Sequence, residues 1–296
     1  MDWICLYIYT ERDLADVLMK NVRPFIAAMA QDNGLEQFFF IRYWEKGPHI
    51  RLRMKGDRVK LEKGITQYEK MLQPARVERA LYEPETDRYG GSCGIQVAEK
   101  HFEYSSLAVL SVLKEKDGNI NKLTLAIQLH LGFVTTVGMG EMDMAIFFKK
   151  LFEQWFPSVY SGKGVMEEDL PQYRSDGLTA FRQAFARQQD SLSVFIKTLL
   201  AQLSSGVPFR HGWYNRWLKN TGRISKALQK CQSVSPLFRE TGEFPPRSGM
   251  DRDRADRYTV YASYLHMTNN RLGLSNQEEA YVFFILHTVI SAYAPY

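Results

Sequence analysis

The sequence predicts an α+β protein, with antiparallel sheet or sheets and hairpins packed against helices, then a helical middle and C-terminal part. Three observations predict it. Short runs rich in aromatic and branched residues recur through the first quarter of the chain, and a Gly-Pro turn joins two of them. From Gln96 onward the apolar spacing is that of helices. The 296 residues contain 45% hydrophobic and 24% charged residues, an ordinary globular balance that excludes a disordered tail or a fibrous repeat.

Trp3–Tyr9 reads as the first strand, followed by a helix from about Leu14 to Ala30. Phe38–Trp44 is the second strand, and Lys46-Gly47-Pro48 is a turn, because Gly supplies conformational freedom and Pro removes a ladder donor. His49–Met54 alternates polar and apolar residues, so the two runs form an antiparallel hairpin. The same period puts His49, Arg51 and Arg53 on one face and Ile50, Leu52 and Met54 on the other. For a hairpin taken alone, the cationic face would be a solvated surface. A helix over about Val59–Gln73 and a strand over Val77–Leu81 follow, leading into Tyr82-Glu83-Pro84-Glu85-Thr86-Asp87-Arg88-Tyr89-Gly90-Gly91. The diglycine permits a sharp turn or close approach to a ligand. The plainer reading of this segment is an acidic loop with Arg88 paired to Glu83 or Glu85.

Gln96–Leu113 and Asn121–Val137 are expected core helices. Amphipathic helix continues from about Glu141 to Leu203, interrupted at Phe156-Pro157 and at Ser161-Gly162-Lys163-Gly164. Gly242–Asp256, with Pro245-Pro246 and the alternating charges Asp251 to Arg254, reads as an exposed loop. Tyr258–Leu272 is a helix carrying His266, Asn269, Asn270 and Arg271. Ser275 and Glu278 form a capping-box pattern at the start of a last, buried helix to Ala292, where His287 reads as a core or partly exposed histidine.

The net charge of +5 (38 Lys+Arg against 33 Asp+Glu) is too small and dispersed to demand nucleic acid or a membrane surface. It leaves room for a basic pocket with an acidic substrate. Cys5, Cys93 and Cys231 are too scattered for a disulfide scaffold and form no CxxC pair, which points to the reducing cytosol. The opening apolar run meets Glu11, Arg12 and Asp13 too early for a signal or spanning helix. No phosphate loop, GxGxxG, HExxH or GxSxG pattern occurs, and no His pair has metal-ligand spacing; no metal or nucleotide cofactor is expected.

Three separated segments carry a resemblance. They are Ile41-Arg42-Tyr43-Trp44 with His49-Ile50-Arg51-Leu52-Arg53, Tyr82-Glu83-Pro84-Glu85 with Arg88-Tyr89-Gly90-Gly91, and His266-Met267 with Asn270-Arg271-Leu272. Together they resemble the C-terminal, glutamate-elimination domain of lantibiotic dehydratases, a family that also occurs as stand-alone proteins in lanthipeptide and thiopeptide biosynthesis. The opening strand, an Asn-Val-Arg-Pro helix end at Asn21–Pro24 and the buried last helix extend the likeness over nearly all of residues 1–296, as one such domain with a helical insertion at about 140–250. One departure stands out. The family's Phe-x-x-Asp-Ser reads Phe102-Glu103-Tyr104-Ser105-Ser106 here, with Ser105 in the place of the acid.

The resemblance implies loss of glutamate from a glutamylated Ser or Thr of a precursor peptide. That reaction needs a base for the Cα proton, a cation for enolate-like charge and a grip on the departing glutamate. Histidine titrates near neutrality, and arginine binds carboxylates in a two-pronged geometry. By resemblance, His266 is the acid/base, Arg51, Arg53 and Arg88 hold glutamate and stabilise charge, and His49, Tyr82, Glu83, Tyr89, Tyr104 and Asn270 bind substrate. Arg271 reads as structural, pairing within its own helix turn. Without the family, His266 would read as a satisfied helix histidine. The implied partners are a precursor peptide with a leader segment and a separate enzyme that attaches glutamate from glutamyl-tRNA. Direct nucleic-acid or membrane contact is not expected, and a homodimer stays open. Two alternatives remain: a pyridine synthase performing a formal [4+2] aza-cycloaddition with loss of the leader, and a non-catalytic member that binds peptide or partner by strand addition.

Overall fold

The computed structural model describes residues 2–32, 34–73, 76–115, 121–160, 166–231 and 251–293. Four strands form one antiparallel sheet: β1 (Asp2–Tyr9), β2 (Leu35–Tyr43), β3 (His49–Gly56) and β4 (Arg76–Ala80), in the order β2-β3-β1-β4. The expected hairpin is β2-β3, with Tyr43 opposite His49 and the loop closed by the Gly47 N–H on the Trp44 carbonyl at 3.0 Å. Lys46 and Gly47 both take positive φ there, which is why a glycine suits the turn.

The period-two pattern gives the sheet two different faces. Ile50, Leu52 and Met54 are fully buried and stand opposite Ile8, Leu6 and Ile4 of β1. Near them lie α1 (Leu14–Val17), a π-helical turn (Leu18–Val22), α2 (Arg23–Asp32) and α3 (Arg58–Tyr68), with α2 on β2 and α3 on β1. Asn21–Pro24, expected to end the first helix, instead spans its π-to-α transition. The widened turn accommodates a proline that has no N–H to give, and the Asn21 side chain donates to the Met71 and Gln73 carbonyls.

The opposite face, with Arg51 and Arg53, is not a solvated surface. It is covered by α4 (Gly91–Glu115), whose Phe102 packs on Phe39 of β2, and by α10 (Arg252–Leu272). The chain between them supplies α5 (Lys122–Thr136), α6 (Glu141–Trp155), α7 (Leu170–Ala186), α8 (Gln189–Ser205) and α9 (Gly212–Lys230). The last helix, α11 (Asn276–Ser291), lies against α6 and begins in the expected Ser275/Glu278 capping box. Phe156-Pro157 ends α6 in a 3-10 turn, Phe156–Val159. No helix among the described residues is long and apolar enough to cross a membrane.

Two further expectations are corrected. Asp251–Asp256 is not loop: the Asp251 side chain accepts the Arg254 N–H and caps α10, while Arg252 pairs with Asp256 and Arg254 with Asp143. The remainder of that stretch, 242–250, and the glycine-rich 161–164 lie outside the described residues. The cysteines are not all separate either. The start of α4 meets the end of α9, and Cys93 and Cys231 form a disulfide across a separation of 138, leaving Cys5 free and buried. Scattered thiols therefore give no support to a reducing compartment.

Candidate active site

Between the cationic face of the hairpin and the α4 and α10 helices lies a cavity of about 270 Å³. Arg51 and Arg53 of β3, Arg88 of the 3-10 turn Asp87–Tyr89 and His266 of α10 all line it. Tyr82, Glu83 and Tyr89 join them, with an apolar wall that includes Ile41, Ile95, Phe102 and Met267. Segments more than 200 positions apart in the chain thus meet at one opening.

Arg51 and Arg53 stand against aromatic rings, and Arg88 is held by hydrogen bonds. The Arg51 guanidinium lies 3.4 Å from the Tyr43 ring centre and 4.7 Å from that of Tyr7, with Glu45 at 3.8 Å. Arg53 stands 4.7 Å from the Tyr82 ring and 5.3 Å from Phe39. Its Nε is buried and has no hydrogen-bond partner among the described residues. Arg88 donates from Nε to Ser263 Oγ and from Nη1 to Glu85, both at 3.2 Å. The Arg88–Glu85 pair is the ion pair that the sequence alone would suggest, and it sits at the mouth of the cavity. Gly90 and Gly91 at positive φ, and Gly94 packed on the Tyr89 carbonyl where a Cβ would collide, let α4 start directly beneath this turn.

Tyr82 is fixed by Glu99 of α4. Burial, and then the adjacent carboxylate, push the Tyr82 phenol well above its ordinary range. Burial likewise raises Glu99, against the opposing pull of Tyr82 and Lys55. Tyr89 is 2% exposed and is pushed up to about 12 by burial, so it offers a neutral hydroxyl rather than a phenolate.

His266 lies flat on Trp155 of α6, with ring centres 4.3 Å apart and planes within 14°. Its Nδ1–H donates to Glu279 Oε2 at 2.9 Å. Glu279 is 1% exposed and sits in the first turn of α11, where the helix N-terminus favours a carboxylate. With Nδ1 committed, Nε2 is the ring nitrogen left to accept a proton. Neither Trp155 nor Glu279 belongs to the three sequence segments. Their only sequence signals are the end of an amphipathic helix and the residue after a capping box.

Three expected substrate-binding residues stand elsewhere or act otherwise. His49 is 1% exposed, behind Arg51: its Nδ1–H donates to the Gly47 carbonyl at 2.8 Å, and Nε2 accepts the Arg51 Nε–H at 3.2 Å. Burial lowers its pKa, which keeps Nε2 free to accept. His49 therefore orients Arg51. Tyr104 does not line the cavity, because two residues on a helix turn about 200° and Phe102 takes the inward direction. Asn270 does border the cavity, but its amide is committed to the sheet edge. Oδ1 accepts the Arg42 N–H at 3.0 Å, and Nδ2 donates to the Arg42 carbonyl at 2.9 Å.

Arg271 is structural and fully buried. It donates from Nη1 to the Met267 carbonyl one turn back and from Nε to Ser106 Oγ, which also accepts the Phe40 N–H. Burial lowers it to about 9. Ser105, in the place of the family's acid, turns its hydroxyl back to the His101 and Phe102 carbonyls and points no charge at the site.

The family model described as lantibiotic biosynthesis dehydratase C-term matches residues 3–290. Among solved structures, the pyridine synthase TbtD from thiomuracin biosynthesis is 15% identical with a TM-score of 0.70, over 99% of this chain and 99% of that one. TsrL is 15% identical with a TM-score of 0.73, over 98% and 95% of the two chains. The tRNA dependent lantibiotic dehydratase MibB from Microbispora sp. 107891 is 19% identical with a TM-score of 0.64, over 99% of this chain but 28% of its own. At these identities the likeness speaks for the fold. No curated protein matches the chain.

Proposed function

The chain belongs to the lantibiotic dehydratase C-terminal family, and from that premise we propose that it eliminates glutamate from glutamylated Ser or Thr residues of a ribosomally made precursor peptide, leaving dehydroalanine or dehydrobutyrine. One observation carries the reading: three guanidinium groups and an imidazole held by a carboxylate line a single small cavity. At about 270 Å³ the cavity lies just below the usual range of small-molecule sites, a size for one glutamyl group.

In this reading His266 Nε2 takes the Cα proton. The electron pair of the C–H bond forms the Cα–Cβ double bond, the Cβ–O bond breaks, and its pair leaves on the glutamate carboxylate. Arg51, Arg53 and Arg88 bear the charge that builds on the substrate carbonyl and on the departing carboxylates. Tyr82 and Tyr89 contribute neutral hydroxyls, and Glu83 borders the opening. The elimination step as written calls for no metal or nucleotide. A separate enzyme attaches glutamate from glutamyl-tRNA, and a leader segment of the peptide aids recognition. The cytoplasm, where ribosomal peptides are made, is the proposed place of action.

A second reading is a pyridine synthase that joins two dehydroalanines in a formal [4+2] aza-cycloaddition with loss of the leader. It is favoured by the match to TbtD over the full length of both chains, and by Ser105 in place of the acid. Against it, a cycloaddition has no glutamate for three arginines to hold. Incubation with a glutamylated peptide and, separately, with a multiply dehydrated azole-bearing peptide distinguishes the two by mass spectrometry. Loss of glutamate from the first supports elimination. An inert first peptide and a macrocycle with released leader from the second establish the synthase instead.

A further inference from the structure

A second concavity, of about 1060 Å³, lies at the far end of α4, away from the candidate active site. Its floor is apolar, formed by Ile26 of α2, Phe38 of β2, Leu107 and Leu110 of α4 and Trp213 of α9. Its rim is cationic: Arg23, Lys114, Arg210 and Arg216 line it, and none of them has an ion-pair partner among the described residues. The one carboxylate in the lining, Glu115, is taken by His211 Nδ1 at 2.5 Å.

The groove is built on fixed parts. Asn215 pins the segment before α9 by accepting the Phe209 N–H and donating to the Phe209 carbonyl. The Tyr214 hydroxyl and the Trp217 indole then donate to the Gln128 and Leu129 carbonyls of α5. The sheet edge also borders the space. The N–H groups of Phe40 and Arg42 point outward to Ser106 and Asn270, and the same two-residue period turns the Phe38 N–H to that edge.

We propose that this groove docks an acidic peptide segment bearing apolar side chains, a part of the substrate remote from the reacting residue. The occupant follows from the lining: cations along the rim ask for carboxylates, and the apolar floor, with Leu107 exposed in it, asks for Leu- or Phe-like anchors. A nucleic acid would meet too little basic surface and too much hydrocarbon here. On α4, Phe102 of the cavity and Leu110 of the groove are roughly 12 Å apart along the axis, a span that about four extended residues cover. That the segment belongs to the substrate rests on the peptide-modifying function above; the groove's preference for acidic peptide does not.

The test uses a fluorescein-labelled synthetic peptide of about a dozen residues, rich in Glu and Leu with one Phe, and anisotropy as the readout. The wild-type chain is expected to bind it, and to lose at least tenfold in affinity when every Glu of the peptide is replaced by Lys. The exposed pair Lys114→Glu and Arg216→Glu is expected to cost at least tenfold, whereas Arg182→Glu, on α7 and outside the groove, leaves affinity within twofold. Circular dichroism verifies the fold of each variant. Equal binding by the Lys peptide, unchanged affinity in the groove variant, or tighter groove-dependent binding of an RNA oligonucleotide overturns the proposal. Groove-dependent binding by a protein that releases no glutamate upholds the docking site and removes the reaction. Glutamate release without peptide binding at the groove does the reverse.

Discussion

Glu279 is the residue on which the chemistry of His266 turns, although it lies outside every motif. The Nδ1–H···Oε2 contact at 2.9 Å fixes the imidazole tautomer, and stacking on Trp155 fixes its plane. Glu279→Gln can still hydrogen-bond the ring but can present an amide N–H that favours the wrong tautomer. It is expected to lower kcat on a glutamylated peptide by on the order of 10²-fold with KM little changed, and to alter the pH profile of kcat. Unchanged kcat and pH profile would remove the positioning role. At this scale the sequence shows the chemistry-bearing residues but not their supports. Arg51, Arg53, Arg88 and His266 stand in recognisable strings, whereas Glu279 reaches His266 from another helix, thirteen positions on, and Trp155 from a third. The alternation that groups His49 with Arg51 and Arg53 gives a face, yet not which of the three is buried behind the others.

The hairpin and α10 are the elements that hold the site open. Asn270 clamps them, taking both the N–H and the C=O of Arg42 at the sheet edge. Asn270→Ala leaves those backbone groups without their partner, and each such loss costs about 1–3 kcal/mol. A urea titration is expected to show a total destabilisation of about 2–6 kcal/mol. A midpoint within error of the wild type would mean that water or another group serves equally well. The hairpin was legible because strict alternation on both sides of a Gly-Pro turn has few other readings. The start of α10 was not: Asp251-Arg252-Asp253-Arg254 has the composition of a loop, and only the cap at Asp251 and the pairing of Arg254 with Asp143 of α6 reveal a first helical turn. The π turn before Pro24 was hidden for a similar reason, since its cause is a proline read as a stop.

Across the whole molecule, two buried histidines tie stability to pH. Burial holds His101 down to about 3, aided by the positive charge of Arg271, and burial holds His130 to about 3. Unfolded, each takes a proton near pH 6.5, so the unfolded chain binds protons that the folded chain refuses. Stability therefore falls as pH drops from about 6.5 toward 3, by about 1.4 kcal/mol per pH unit for each histidine. The urea midpoint is expected to be lower at pH 5.5 than at 7.5, and an equal or higher midpoint contradicts this. The Cys93–Cys231 link belongs to the same scale and was illegible for the same reason: residues 138 apart meet only once α4 and α9 have packed. The three strings that carry the family likeness meet in space at one cavity. The most direct test of their joint role is mass spectrometry of a glutamylated precursor peptide incubated with wild type, Arg51→Ala, Arg53→Ala, Arg88→Ala and His266→Ala, each verified as folded. Rapid loss of glutamate is expected with the wild type and persistent glutamyl adducts with the variants; wild-type turnover by all four would remove these side chains from the reaction.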